Sequence, residues 1–230
     1  MMARRFVMVM VLGTATFAAP ALHAQSLNID LGTVEVAPSS SFGAAAGQAG
    51  TWSKLGLGTT NALPDLTGAA TSVAATVTAD TSTGYDNSCT GDLGHLVNDN
   101  IYAEGGTWTV TLTGLAPGEY TVYLYEPTNP AVVTGNMTVN GTPLAGITDH
   151  ACALTAGQTY TTATATVTGT LTITGDSAGT PDGFAGLAGL QLVLTQAIEP
   201  IPAASPAALL LLAVLVASAG FVLLRRQLEG

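Results

Sequence analysis

Basic residues are scarce in this 230-residue chain, which has five Lys and Arg against fifteen Asp and Glu and a formal net charge of −10. Four of the five basic residues lie in the two terminal segments, so Lys54 is the only one between positions 25 and 198. Binding to nucleic-acid phosphates requires a footprint of Lys and Arg. The composition therefore excludes a nucleic-acid partner, and such acidity more commonly accompanies cation binding or colloidal repulsion.

Cysteine and histidine are also few, with two and three residues respectively. The even pair, Cys89 and Cys152, predicts one disulfide in an oxidising compartment, and two unpaired buried thiols are the alternative. The separation of the two cysteines excludes a CxxC redox or zinc motif. His95 and His150 form neither an H-x-H nor an H-x-x-x-H pattern, so they do not indicate a zinc site.

The N-terminal segment has the layout of a targeting sequence. Arg4 and Arg5 precede an apolar run, and the small residue Ala24 offers a cleavage point before Gln25. This pattern predicts a secretory signal peptide over residues 1–24, and an uncleaved N-terminal anchor is the alternative.

Residues 25–198 predict a single all-β domain. Thr and Val are abundant, apolar and polar residues alternate with period two, and Gly, Pro, Asn and Asp separate the runs. About eight to ten strands in a domain of this size are typical of an antiparallel β-sandwich, jelly-roll-like in its arrangement.

Two β-hairpins are the sharpest local predictions. Residues 106–127 contain two alternating runs joined by Pro117-Gly118, which fits a type II turn. Asn140-Gly141 favours a two-residue hairpin turn between two further strands. We also expect strands at 27–32 and 71–81, one on each side of Gly169, a more continuously apolar and central one at 184–196, and a long loop at 38–52.

The sequence GDSAG at residues 175–179 has the G-x-S-x-G pattern of a hydrolase nucleophile elbow. An elbow requires a strand, a sharp turn and a helix, with the catalytic histidine later in the chain. Here Pro181 and glycines occupy the place of the helix, and no histidine follows Ser177. We therefore expect a turn at Ser177, and no other acid–base or nucleophile pair indicates an enzyme.

An Asp- and Asn-rich stretch at residues 78–100 contains the oxygen ligands that calcium prefers. It has no EF-hand spacing, and Asp and Asn are also ordinary turn residues, so solvated loops are the alternative. The candidate calcium ligands are Asp80, Asp86, Asn87, Asp92 and Asp99.

Several aromatic residues fall where they could stack on sugar rings. Some precede or follow predicted turns, and two share one face of the strand before residue 126. The alternative is that both faces of such a strand are covered. The candidate glycan contacts are Trp52, Tyr85, Tyr102, Tyr123 and Tyr125.

The C-terminal segment contains eighteen uncharged residues, 207–224, followed by Arg225 and Arg226. A helix of this length spans about 27 Å, which is just enough to cross a bilayer core. The two arginines would remain cytoplasmic, so the signal peptide and the tail predict the same orientation.

Residues 199–230 resemble the tripartite C-terminal sorting signal of exosortase systems in Gram-negative bacteria. The signal combines a short Pro-containing motif, a hydrophobic helix and a basic cluster. Glu199-Pro200 is similar to the PEP-CTERM version and Ile201-Pro202 to the IPTL-CTERM version. The resemblance implies that a sorting protease of the exosortase type recognises the tail in the inner membrane and cleaves it during export.

The exported part also resembles a galactose-binding-like β-sandwich domain over residues 27–194. Four segments occur in the order found in that group, and the resemblance implies no catalytic residues. The segments are SSSFGAAAGQAGTW at 39–52, DLTG at 65–68, GLAPGEYTVYLY at 114–125 and LAGLQLV at 187–193.

Together these features predict a non-enzymatic exported protein of a Gram-negative bacterium. It would lie in the inner membrane during processing and then at the cell surface or in the extracellular matrix, where it binds polysaccharide or acts structurally. The alternative is a single-pass inner-membrane protein whose periplasmic sandwich binds another protein.

Overall fold

Alternating Thr and apolar residues form most of the long strands, as the period-two pattern predicts. The computed structural model describes residues 25–85, 88–128, 133–147, 152–198 and 214, without the side chains of 83–85. The elements within these residues are β1 (Leu27–Leu31), β2 (Trp52–Leu55), β3 (Gly58–Thr60), β4 (Ala74–Thr78), β5 (Thr81–Tyr85), α1 (Gly91–Val97), β6 (Asp99–Glu104), β7 (Thr107–Thr113), β8 (Gly118–Tyr125), β9 (Asn136–Val139), β10 (Thr142–Leu144), β11 (Tyr160–Val167), β12 (Thr170–Asp176), β13 (Phe184–Leu187) and β14 (Gly189–Ala197).

The strands form two large sheets, which pack as a β-sandwich, and one small sheet. The five-stranded sheet has the order β11-β8-β14-β1-β2, and the six-stranded sheet has the order β10-β9-β12-β7-β4-β3. The third sheet has the order β13-β6-β5. β1 and β2 pair in parallel, which differs from the predicted antiparallel arrangement at this one edge. The other pairs are antiparallel.

The main core lies between the two large sheets, because alternate residues of their strands face inward. Gly175 on β12 lies opposite Trp108 on β7, and a Cβ at Gly175 would approach the indole to 2.3 Å. Because Gly175 has no side chain, the Trp108 indole, the largest side chain of this core, can occupy the space above it. The buried side chains of β7 and β8 in this core are Trp108, Val110, Leu112, Tyr120, Val122 and Leu124.

The prediction of a hairpin over residues 106–127 is wrong in its pairing. β7 and β8 are both strands, but β7 pairs with β12 and β4, whereas β8 pairs with β11 and β14. The connection at residues 114–117 crosses between the sheets, so the two apolar faces meet across the core. An alternating pattern determines which face of a strand is buried but does not determine which strand is its neighbour.

Two other local predictions are confirmed. β9 and β10 pair through Asn140 and Gly141, whose φ angles of 48° and 76° are the positive values that a type I′ turn requires. Gly169 separates β11 from β12 as expected, although these two strands belong to different sheets.

The apolar segment at 184–196 divides at Ala188 into two strands. β14 lies between β8 and β1, so the predicted central position is confirmed for this part. β13 instead pairs with β6 in the third sheet.

Residues 78–100 contain more regular structure than their composition suggested. β5, α1 and the start of β6 occupy most of this stretch. Leu96 and Val97 of α1 are fully buried. Leu96 packs directly on Gly189 of β14, because a Cβ at Gly189 would lie only 2.6 Å from Leu96 Cδ1. The helix is therefore held by burial against the outer face of the five-stranded sheet.

Within the described residues, no helix is both long and apolar enough to span a membrane. The predicted signal peptide at 1–24 and sorting signal at 199–230 lie outside those residues, apart from Val214.

Candidate functional site

The outer face of the five-stranded sheet carries a second apolar cluster beneath residues 38–50 and α1. Its buried members include Trp52, Leu96 and Tyr125. Tyr123 and Tyr160 are only partly buried and pack at its border. Most of the predicted aromatic contacts therefore belong to this one region, but at different depths.

Tyr125 is fully buried, so the prediction that it contacts a glycan is wrong. Its hydroxyl accepts a hydrogen bond from the Ala45 N–H at 2.9 Å and donates one to Gln191 Oε1. Burial raises the pKa of this hydroxyl far above its ordinary value of 10.0. The segment 38–50 covers this end of the sheet, which the alternation along β8 could not reveal.

Trp52 is also buried, with 7% of its surface exposed, so it too is not available as a glycan contact. Its Nε1 donates a hydrogen bond to the Phe42 carbonyl at 3.1 Å, and the two rings stack with centroids 6.0 Å apart. Trp52 therefore anchors the covering segment to β2.

A polar network completes that attachment. Gln48 Nε2 and Gln191 Nε2 each donate to Asn28 Oδ1 at 2.8 Å. Asn28 Nδ2 donates back to the Gln48 carbonyl at 3.0 Å, and the Ala46 N–H donates to Gln191 Oε1 at 3.2 Å. Since buried polar groups need partners, these bonds allow a loop to lie across the sheet.

Two of the remaining candidates lie apart from this region. Tyr102 of β6 is half-buried and packs edge-on against Phe184, with centroids 5.7 Å apart at 78°. The backbone of Tyr85 pairs with Asp99, and its side chain lies outside the described part of the chain.

Tyr123 and Tyr160 form an accessible aromatic pair on β8 and β11. Their ring centroids are 6.0 Å apart at an interplanar angle of 37°, and both side chains are half-buried. The strand register places Thr162 opposite Tyr123 and Thr164 opposite Thr121. We call these five residues the tyrosine surface. It combines two half-buried aromatic rings with three threonine hydroxyl groups and carries no charge.

Tyr160 was absent from the sequence-based candidates because the pairing of β11 with β8 was not predicted. The only sequence feature that could have indicated it is its position at the start of an alternating run, where it shares a strand face with Thr162. The register Tyr160 to Tyr125 brings it onto the same face as Tyr123.

Among the described residues, the predicted calcium ligands Asp80, Asp92 and Asp99 have separate hydrogen-bond partners and do not form a common site. Asp80 Oδ2 accepts a hydrogen bond from the Glu104 N–H at 2.6 Å, whereas Asp92 accepts two from the N–H and Oγ of Ser39, at 2.6 and 2.7 Å. These bonds from Ser39, its N–H first, lower the pKa of Asp92. Asp86 and Asn87 lie outside the described residues. Within those residues, no group of three or more His, Cys, Asp or Glu is placed to hold a metal ion.

Asp99 instead belongs to a buried charged cluster with Lys54 and Asp30. Asp99 Oδ2 accepts hydrogen bonds from the N–H groups of Val34 and Glu35, at 2.8 and 3.0 Å, and lies 3.4 Å from Lys54 Nζ. Burial raises the pKa of Asp99. Asp30 lies beside Lys54 in the strand register. Its carboxyl oxygens have no hydrogen-bond partner in the described structure, and burial, followed by the charge of Asp99, raises its pKa well above 3.8.

Glu126, just after β8, is a third buried carboxyl group. Its Oε2 accepts a hydrogen bond from the Thr134 N–H at 3.1 Å, and burial raises its pKa to about 9. Val133 and Gly135, on either side of Thr134, line a cleft of about 200 Å³ together with Ile147 and residues 178–181.

Ser177 adjoins this cleft and follows the last residue of β12. A turn at residues 178–179 comes next, and then β13, so no helix occupies the position that an elbow requires. The predicted turn at GDSAG is confirmed.

The predicted disulfide is present. Cys89 and Cys152 are bonded with their Cα atoms 5.3 Å apart, and they join positions 63 residues apart in the chain. Asn98 holds the Cys89 backbone from both sides, accepting from its N–H at 3.1 Å and donating to its carbonyl at 2.9 Å. The bond therefore ties the start of α1 to the segment before β11.

The sequence matches no protein-family model, and no curated protein is similar to it. Solved structures resemble it at low identity. A calcium-binding mutant of Bacteroides uniformis beta-glucuronidase 2 matches 75% of this chain at 14% identity, with a TM-score of 0.41. The complex of plant peptide RALF23 with FER and LLG2 matches 78% of this chain at 14% identity, with a TM-score of 0.39. The ANXUR2 extracellular domain from Arabidopsis thaliana matches 76% of this chain at 15% identity, with a TM-score of 0.38.

This chain spans 18%, 41% and 49% of those three chains, respectively. Similarity at this level concerns fold alone and gives no information on activity.

Proposed function

We propose that the chain is an exported, non-enzymatic protein that its C-terminal sorting signal delivers to the surface or extracellular matrix of a Gram-negative bacterium. There the tyrosine surface binds polysaccharide. The observation that carries the binding role is the pair of half-buried rings, Tyr123 and Tyr160, on the outer face of the five-stranded sheet next to the segment 38–50.

The chemistry of the tyrosine surface favours a neutral glycan. A tyrosine ring offers a flat apolar face and a polar tip, which suits the apolar faces and hydroxyl groups of a sugar. The flanking threonine hydroxyls can both donate and accept hydrogen bonds. Since the chain has a net charge of −10, an acidic polysaccharide would be repelled at long range.

The disulfide supports export, because such bonds persist in oxidising compartments and are rare in the cytosol. The signal-peptide layout at 1–24 and the tripartite tail at 199–230 are consistent with that route. We assign the sandwich to the galactose-binding-like, jelly-roll-like group on the ordered segments quoted above.

Affinity electrophoresis of the purified protein in gels containing dextran, xylan or galactomannan tests the binding role. Tyr123→Ala and Tyr160→Ala should each weaken retardation by the bound polysaccharide about tenfold or more, since each removes a stacking face. Tyr102→Ala is the matched control, because Tyr102 is a half-buried tyrosine of a different aromatic pair. If no polysaccharide retards the wild type, or if all three variants behave alike, the tyrosine surface is not a glycan site.

A single-pass inner-membrane protein is the second candidate. The eighteen uncharged residues 207–224 favour it, because they are long enough to remain as an anchor. In that case the sandwich would contact another protein in the periplasm, and residues 199–230 would stay on the mature chain.

A further inference from the structure

Among the described residues, β11 is an unpaired edge of the five-stranded sheet. Its eight residues, Tyr160–Val167, pair with β8 in an unbroken register from Tyr160–Tyr125 to Val167–Gly118. On the other side, Gly157 donates one hydrogen bond to the Tyr160 carbonyl. From residue 161 to 167, the described chain makes no backbone hydrogen bond along that side.

The other five sheet edges each carry a feature that discourages further pairing. β2 has only four residues and includes Lys54, and β10 has three residues and includes Pro143. β3 has three residues and β13 has four. β5 has an irregular register between Thr81 and Gly84. β11 is longer than any of them and has no charge, proline or register shift.

Charge distinguishes β11 from the rest of the domain as well. No Asp, Glu, Lys or Arg occurs between positions 150 and 175. The rest of the domain is strongly acidic, with Lys54 as its only Lys or Arg residue. Two copies approaching by most surfaces would repel each other, whereas two β11 edges can meet without like-charge contact. Thr162, Thr164 and Thr166 are exposed along its outer face.

We infer that the partner of β11 is a second copy of this chain, paired antiparallel through β11 to form a continuous ten-stranded sheet. A two-fold axis perpendicular to the sheet makes the two strands antiparallel and places the same residues on the same face. The exposed threonines of the two copies then become cross-strand neighbours, a favourable pairing in sheets.

The same geometry predicts a closed dimer and not a filament. A filament would need the opposite edge of the sheet to accept another copy, but that edge is the short β2 with Lys54. In the dimer, both tyrosine surfaces lie on the same side of the joined sheet.

Cross-linking of the full chain in non-ionic detergent tests this interface. The variants Thr162→Cys, Thr164→Cys and Thr166→Cys each add one thiol, and the native cysteines are bonded to each other and do not react. A short bismaleimide should produce covalent dimer at one or two neighbouring positions, at least tenfold more than at the third position or at the control, Thr78→Cys. Thr78 is equally exposed but lies on β4, an interior strand of the other sheet.

Equal cross-linking at position 78 would mean that the chains associate through another segment, such as the hydrophobic tail, and would overturn the inference. Absence of cross-linking at all three β11 positions would also overturn it. A lysine on β11 should lower the dimer yield of the best cross-linking variant at least tenfold, because it places positive charge from both copies at the interface. The lysine is Thr164→Lys, or Thr162→Lys if Thr164→Cys cross-links best. Thr78→Lys should leave that yield unchanged, and an unchanged yield with the β11 lysine would contradict β11 pairing.

Discussion

At Glu126 the fold buries a carboxyl group that Thr134 contacts through its N–H, and Oε1 has no partner among the described residues. The folded pKa of about 9 lies above the ordinary value of 4.5. Folding therefore takes up a proton between these two pH values. The contribution of Glu126 to the free energy of unfolding is therefore highest below about pH 4.5 and falls as the pH rises toward 9.

Glu126→Gln should remove this pH dependence. For the wild type, the group contributes a decline of at most about 1.4 kcal/mol per pH unit across that window. The variant should show a shallower decline and should be more stable than the wild type at pH 8.5, as measured by urea unfolding at several pH values. Glu119→Gln, an exposed substitution on β8, is the control. Identical slopes for Glu126→Gln and the wild type would contradict this assignment.

The Asp30, Lys54 and Asp99 cluster gives a second prediction at the residue scale. Lys54→Met leaves two buried carboxyl groups without their cation and should lower the free energy of unfolding by about 1–3 kcal/mol at pH 7. Asp30→Asn in the same chain should recover part of that loss, because it removes the repulsion from Asp99. A double-mutant cycle by chemical unfolding measures the coupling, and additive effects would show that the two residues do not interact.

Side-chain exposure was the least predictable property of the candidate site. Tyr123 and Tyr125 are two residues apart on one face of β8, and alternation treats them alike. Their difference arises because residues 38–50 fold over Tyr125 and stop short of Tyr123. No local pattern encodes where a distant loop ends, so Tyr125 and Trp52 were expected at the surface and Tyr160 was missed.

At the level of elements, the longest strands followed from the sequence, whereas β2, β3, β5 and β6 and most of the strand partners did not. The segment 106–127 shows this most clearly. Its two apolar faces were predicted correctly, but β7 and β8 lie in different sheets, and Gly118 is the first residue of β8 and lacks the positive φ of the predicted type II turn. Asn140-Gly141 was predicted fully, since a two-residue type I′ turn leaves the chain no alternative to a hairpin. Helix α1 is too short to show a helical period, and only its burial against Gly189 explains it.

The disulfide provides the prediction at this scale. Cys89→Ala with Cys152→Ala should lower the free energy of unfolding by up to about 4 kcal/mol, because the bond closes a long loop in the unfolded chain. Urea unfolding of the oxidised wild type and the double variant measures the difference. Cys152→Ala alone should lose as much stability as the double variant. A loss well below 1 kcal/mol would show that the bond does not support the fold.

For the whole molecule, the acidic sandwich, its disulfide and its two hydrophobic ends fit one route. A signal peptide would send the domain out of the cytoplasm, the disulfide would form there, and the tail would hold the chain in the membrane until it is processed. The tyrosine surface and the β11 edge lie on the domain that this route would export, where a polysaccharide and a second copy would both be accessible.

The intact mass of the protein from envelope and medium fractions of its native host tests this account most directly. We expect a chain that has lost residues 1–24 and the residues after about position 200, recovered outside the inner membrane. A mature chain that extends to Gly230 and stays in the inner membrane would contradict delivery to the surface and would identify residues 207–224 as a permanent anchor.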